Sequence, residues 1–181
     1  MSENDKARRF DAMATPHLDA AYNLARWLTR NAHDADDVVQ EAYLRAYRFF
    51  DGFKGGDGRA WMLAIVRNTF YTWVQQNRRA DTVEYNEVNV GIDAVDAEEN
   101  QTLHTADPEN LLLRAADQQL VEAALLRLPD EYREILVLRE LEELSYKQIA
   151  DIAGIALGTV MSRLSRARAQ LRRQIETMEP Q

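Results

Sequence analysis

The chain has 181 residues, 46% hydrophobic and 29% charged, which is enough apolar surface for a core and carries no bias towards disorder. It has no cysteine, which excludes disulfides and thiolate metal sites, and no apolar run long enough to span a bilayer. The net charge of −8 argues against a protein that gathers nucleic acid by bulk attraction. That charge is unevenly spread. Residues 1–80 hold 12 basic and 10 acidic side chains, residues 81–113 hold 0 and 9, and residues 114–181 hold 10 and 11. Two near-neutral blocks therefore flank an acidic connector. The polar start, MSENDKARRF, lacks the apolar stretch of a signal peptide, so a cytoplasmic location is expected.

With only 7 glycines and 4 prolines, long helices are favoured over many short strands. Over 18–28, Leu18, Ala21, Tyr22, Ala25 and Leu28 follow helical spacing. Asp34 is the expected N-cap of the next helix, with Asp36 and Asp37 favouring its positive end. That helix is predicted to run to about residue 50, with Val38, Ala42 and Ala46 on one stripe. Gly55, Gly56 and Gly58 break the pattern, and a further helix over 59–79 has an apolar face of Met62, Ile65, Val66, Thr69, Phe70 and Trp73. Residues 80–106 keep no period and read as a flexible acidic linker. Asp107-Pro108 restarts helix, and Leu112, Ala116, Leu120, Ala124 and Leu128 form an apolar line. Pro129 opens another helix with Tyr132, Ile135, Leu136 and Leu138 as core candidates. No strand pattern persists. The expected fold is all-α: two helical domains, 1–80 and 108–181, joined by an acidic flexible linker over 81–107.

The C-terminal block carries the most specific local pattern. Ser145 and Gln148 have the spacing of a capping box, and Ile149, Ala150, Ile152 and Ala153 follow before Gly154. Ala150 lets two helices approach, and Gly154 permits the left-handed residue that ends the first of them. In the second helix, Val160, Leu164, Ala167 and Leu171 bury one face. Thr159, Ser162, Arg163, Arg166, Gln170 and Arg173 form another, polar face, and 154–175 hold five arginines and no acid. A helix of this kind fits a major groove. An ordinary helical hairpin, its arginines favoured by the helix C-terminus, is the competing explanation.

Three segments together resemble one family. LPDEYREILVLRELEELSYKQIADIAGIALGTVMSRLSRARAQLRR, 128–173, is similar to the −35-reading domain of bacterial sigma-70 factors of the extracytoplasmic-function group. DADDVVQEAYLRAYRFFDGF, 34–53, and RAWMLAIVRNTFYTW, 59–73, resemble that group's core-binding and −10-reading domain, in the expected order. The resemblance implies a non-enzymatic protein that binds RNA polymerase core, recognises −35 and −10 promoter elements and promotes their melting. It implies core-polymerase contacts at Asp36, Asp37, Gln40, Glu41, Leu44 and Arg45, a helix start that otherwise reads as a solvated acidic face.

For the −10 element and melting, it implies Lys54, Asp57, Arg59, Trp61, Arg67, Asn68, Tyr71, Arg78 and Arg79. Aromatic faces stack unpaired bases while cations hold the backbone, although helical spacing assigns most of this helix's aromatics to the core. Asn68 matches the polar residue that reads the separated strand, and the loop 53–59 matches the segment that captures a flipped base. The linker matches the segment threaded towards the RNA exit path; a plain solubilising tether explains its charge nearly as well. An anti-sigma factor is the implied regulator, holding the protein at the inner membrane in some members. Met161 departs from the family, standing where relatives often have a basic residue. No extra N- or C-terminal domain is expected.

Other readings compete. A non-sigma helix-turn-helix regulator needs a sensing or dimerising N-terminal domain, for which the Arg/aromatic helix and glycine loop are poorly suited. An enzyme needs paired catalytic or metal-ligand spacing, and His17, His33 and His104 are scattered. A purely protein-binding adaptor leaves the arginine face without a purpose. No cofactor, metal, small-molecule substrate or membrane insertion is expected.

Overall fold

A computed structural model describes residues 3–81 and 108–178, and every regular element among them is helical. In chain order these are α1 (Glu3–Ala14), a 3-10 turn (Thr15–His17), α2 (Leu18–Thr29), α3 (Ala32–Phe49), a 3-10 turn (Phe50–Gly52) and α4 (Gly58–Asp81). The second block holds α5 (Pro108–Leu126), α6 (Asp130–Leu136) with a π-helical turn continuing it (Val137–Leu141), α7 (Tyr146–Ala153) and α8 (Leu157–Met178). The expected linker lies almost wholly outside the described residues, as does Asp107.

Local chemistry sets the boundaries. The α2 helix ends where Arg30 turns left-handed at φ 69°, its N–H closing on the Arg26 carbonyl at 3.0 Å. The N-cap of α3 is Asn31, not Asp34. The extended Asn31 accepts from the Asp34 N–H at 2.8 Å, and its amide donates to the Asp34 carboxylate. Asp34 thus occupies the third helical position, and the reciprocal pair starts the helix earlier than the acidic run suggested. Asp57 caps α4 by accepting from the Ala60 N–H at 3.0 Å.

In the first block α2, α3 and α4 pack on one another around Ala21, Leu24, Ala25, Leu28, Val38, Ala42, Leu63, Val66 and Phe70. Alanines at these contacts let the helix axes draw close. α1 closes one end, where Phe10 meets Tyr43, Tyr47 and Phe50 edge-on at 4.8, 5.3 and 5.4 Å. Tyr43 donates to Asp11 at 2.9 Å; burial first, then that carboxylate, pushes its hydroxyl up to about 12.

The two blocks share a core. Leu128, Ile135, Leu136, Leu138, Leu144, Ile149 and Leu164 are continuous with the residues buried beneath α2 and α4. α7 packs on α4, and α6 packs on α2 and α8. The apolar line predicted for α5 is only half used: Ala124 and Leu128 are buried, Leu120 is half-buried and Ala116 is exposed. The side chain of Leu112 is outside the described residues.

Candidate nucleic-acid interface

The helix-turn-helix is built as its sequence suggests. Ser145 Oγ accepts from the Gln148 N–H at 3.1 Å, and Gln148 Oε1 accepts from the Ser145 N–H at 2.8 Å. Gly154 takes φ 65° and ends α7. Val160, Leu164 and Ala167 are buried, with Leu171 half-buried on the same stripe. Ser162, Arg166 and Arg173 are exposed, and Thr159 and Gln170 are half-buried. Arg163 lies partly against the core, 3.8 Å from Glu131. Arg168, on the flank, donates to Glu140 at 2.6 Å. Met161, the departure from the family, is exposed beside Leu157.

The −10 candidates divide into two sets. Lys54 is exposed in the loop before α4, where Gly55 and Gly56 take φ 88° and 100°, conformations that a side chain would oppose. Asn68 is exposed and accepts from Arg67 Nη1 at 3.3 Å. Trp61 is half-buried, with its ring 4.9 Å from that of Phe53. The backbone of Arg78 and Arg79 lies in the last turns of α4, and their side chains are outside the described residues.

Arg59, Arg67 and Tyr71 face the second block instead of solvent. Arg67 Nε donates to Glu134 Oε1, and Tyr71 Oη donates to Glu134 Oε2 at 2.7 Å. Arg59 Nη2 donates to Glu142 Oε2, and Asn23 Nδ2 donates to Glu142 Oε1 at 2.7 Å. Gln148 Nε2 donates to Asp57 Oδ2 at 2.6 Å. Asp57 is therefore a helix cap and a contact of α7, and its carboxyl is held below the usual carboxylate range by the Ala60 N–H above all. Glu134 is 2% exposed; burial lifts its carboxyl above the usual range, while Arg67 and Tyr71 pull it back. Burial, then Glu134, pushes the Tyr71 hydroxyl up. The predicted aromatic platform is largely packing: Phe70 is buried, and Tyr71 and Trp73 are half-buried.

On α3, Asp36, Asp37, Gln40 and Leu44 are exposed, and Glu41 pairs with Arg45 at 2.8 Å. A groove of about 270 Å³ runs between this face and α4, lined by Asp37, Glu41, Arg45, Thr69 and Trp73 among others. His33 is exposed and lies 3.8 Å from Asp37. Among the described residues there is no group of three metal-binding side chains, and no helix is long and apolar enough to cross a membrane.

Sequence reasoning missed Arg133, Glu134 and Glu142, all buried. Their signal is a set of charges inside the apolar stretch 132–144, which a core-only reading of Tyr132, Ile135 and Leu138 passes over. Arg133 donates to the Trp27, Leu128 and Leu28 carbonyls at 2.7, 2.7 and 3.2 Å and to Asp130 at 2.5 Å.

Both blocks have counterparts in known proteins. The family model of sigma-70 region 2 matches residues 13–80, and that of sigma-70 region 4 matches residues 118–171. The chain is 34% identical over 163 residues to the ECF RNA polymerase sigma factor SigE of Mycolicibacterium smegmatis, covering 90% of this chain and 60% of that one. It is 35% identical over 151 residues to the ECF RNA polymerase sigma-E factor of Escherichia coli K12, covering 80% of this chain and 75% of the relative. Its fold is similar to that of the sigma factor RpoE of Bartonella quintana, solved in complex with the anti-sigma factor NepR, with a TM-score of 0.69 and 26% identity over 95% of this chain and 99% of that one. CnrH, solved with the cytosolic domain of CnrY, shares the fold at a TM-score of 0.63 and 22% identity over 96% of this chain and 91% of its own. The chain belongs to the sigma-70 factors of the extracytoplasmic-function group.

Proposed function

We propose that this sigma factor binds RNA polymerase core and directs it to promoters by reading the −35 element with α8 and the −10 element with the loop before α4 and with α4 itself. The observation that carries this reading is the exposed polar face of α8, in which 154–175 contain five arginines and no acid, on the same chain as a sigma-70 region 2. Thr159, Ser162, Arg163, Arg166, Gln170 and Arg173 meet the −35 duplex, the helix N-terminal end reaching base edges and the later arginines the phosphates. Lys54 and Arg59, Arg67, Arg78 and Arg79 hold the −10 backbone. Asn68 contacts the separated strand, with Trp61 and Tyr71 beside it. Unstacking a base costs a few kcal/mol; the glycine loop, which lets backbone approach closely, compensates by giving the flipped base a site. Asp36, Asp37, Gln40, Glu41, Leu44 and Arg45 form the core-polymerase contact.

In this reading 1–80 and 108–181 act as separate promoter-reading domains, with 81–107 as the connector. The protein is a transcription initiation factor without catalysis or cofactor of its own. It acts in the cytoplasm and is regulated by an anti-sigma factor, as the complexes of its structural relatives suggest.

Reconstituted transcription with purified bacterial core polymerase on a promoter library tests the proposal. Wild-type chain yields selected promoters. Arg163→Ala with Arg166→Ala lowers promoter use but keeps core binding, and Asp36→Ala with Asp37→Ala lowers core binding itself, with transcription from every promoter falling alongside it. Absence of core binding by the wild-type chain refutes the proposal.

A further inference from the structure

The first turns of α8 show apolar side chains to solvent. Leu157 is 48% exposed and Met161 is 52% exposed, and the two are one helical turn apart on the same flank. Neither belongs to the buried stripe of Val160, Leu164 and Ala167. At about 3.6 residues per turn, Met161 lies between that stripe and the exposed Ser162 around the helix. Gly158 stands in the same turn. A Cβ there would meet nothing within 4 Å, so packing inside the chain does not require glycine at that position. Glycine is a poor helix former, and what it offers here is a bare surface that another molecule can approach closely.

We infer that Met161, with Leu157 beside it, is a specificity-determining residue of the −35 contact: its thioether side chain packs on the C5-methyl of a thymine in the major groove. This inference rests on the promoter-reading assignment proposed above and adds a base preference to it.

Position puts these side chains where bases are read. A recognition helix meets base edges near its N-terminal end, where Leu157 and Met161 stand with Thr159 and Ser162. The major groove is about 12 Å wide and a helix with its side chains is about 10–12 Å across. Both flanks of the first turns therefore lie inside the groove, not the arginine side alone.

Chemistry then selects the contact. The flank of Met161 has no free cation to offer a phosphate, since Arg168, two turns further along it, donates to Glu140 at 2.6 Å. Setting an apolar side chain against a phosphate or a base carbonyl strips water from a polar group and gives it no partner. Among the groups that base edges display in the major groove, the thymine methyl is the apolar one. Packing Met161 on it takes both out of water. Methionine suits the task, because its unbranched and polarisable chain adapts to a small target.

The test uses holoenzyme assembled from the full chain and bacterial core polymerase. It first selects −35 sequences from a randomised duplex library. Each thymine of the selected element, on either strand, is then replaced in turn by deoxyuridine, which lacks only the C5-methyl. In wild type one such replacement weakens binding about three- to fourfold, the effect of one buried methyl. Met161→Ala binds the thymine and deoxyuridine duplexes alike, and Met161→Leu, which keeps the apolar volume, restores the difference. Because Met161 is exposed, neither substitution touches the core. No sensitivity at any thymine overturns the inference, as does a selected element without thymine; an apolar contact to deoxyribose gives the first of these results. Sensitivity that persists unchanged in Met161→Ala also overturns it, by assigning the methyl to another side chain. Selection without methyl discrimination leaves the promoter-reading assignment standing. A wild-type holoenzyme that selects no −35 sequence removes that assignment, and the inference falls with it.

Discussion

Replacing Arg133 by methionine tests what joins the two blocks. The guanidinium is 0% exposed and clasps the end of α2 to the start of α6. The Trp27 and Leu28 carbonyls are in the last turn of α2 and have no further turn of helix to bond. Methionine fills much of the space but leaves those two acceptors without a donor, at about 1–3 kcal/mol each. The Leu128 carbonyl keeps Arg30 at 3.4 Å, and Asp130, part-exposed, keeps it at 3.8 Å, so neither adds much. Against this loss stands the relief of an ion that burial disfavours, the first cause of the lowered pKa of Arg133. The balance is a loss of about 3 kcal/mol, a large part of the roughly 5–15 kcal/mol of a typical domain. Urea unfolding followed by two probes reads it. Trp27, Trp61 and Trp73 all lie in the first block, so their fluorescence weights that block and its seam, whereas circular dichroism weights the helices of both. Wild type should give coincident transitions; Arg133→Met should separate them, with α5–α8 unfolding first. Arg133→Lys, lacking the planar fork, should fall between. Coincident transitions and a loss below about 0.5 kcal/mol would refute the clasp.

Three further outcomes are expected. Asp57→Ala should destabilise the chain by about 1 kcal/mol through loss of the α4 cap. Because the folded pKa of Asp57 is depressed, that contribution is full above the ordinary carboxylate range and is lost as pH falls through the folded value; thermal melts of the two proteins should converge in acid, and a widening gap contradicts the assignment. Gly154→Ala meets open space but must hold φ 65°, so a loss of about 1 kcal/mol in thermal melts comes from backbone conformation alone; an unchanged melting temperature refutes that cause. Asn68→Ala should impair open-complex formation on duplex promoters more than on pre-melted ones, measured by permanganate reactivity, and an equal effect on both rules out its contact with the separated strand.

Periodicity and capping chemistry are local, and the elements that depend on them are legible in the sequence. The α2 stripe, the Ser145 capping box, the Gly154 turn and the buried face of α8 each follow from residues within two helical turns. The start of α3 misleads because Asn31, Asp34, Asp36 and Asp37 are all plausible caps, and only the backbone shows that Asn31 is the extended one. The family resemblance locates α8 and the acidic face of α3 as candidate contacts. It does not locate the seam. Arg133 reaches carbonyls more than 100 positions earlier, and Arg67 meets Glu134 across 67 positions. Pairings at that separation leave no period in the sequence, and a buried charge among leucines looks locally like an interruption of a core face.

The charge map acquires a different meaning once the seam is known. The second block looked near-neutral, but its neutrality is an average over two surfaces. Residues 130–143 hold six acids and two arginines, whereas 154–175 hold five arginines and no acid. Three of those acids are turned inward: Glu134 and Glu142 on to the first block's arginines, and Asp130 on to Arg133 with Arg30 nearby. The arginine face of α8 stays outside, with Arg166 and Arg173 exposed. The same block therefore presents carboxylates to α4 and arginines to solvent. A chain of net charge −8 lacks the long-range field to collect DNA. Pairing across the seam takes Arg59 and Arg67 out of that field as well, so the positive surface that remains is the outer face of α8.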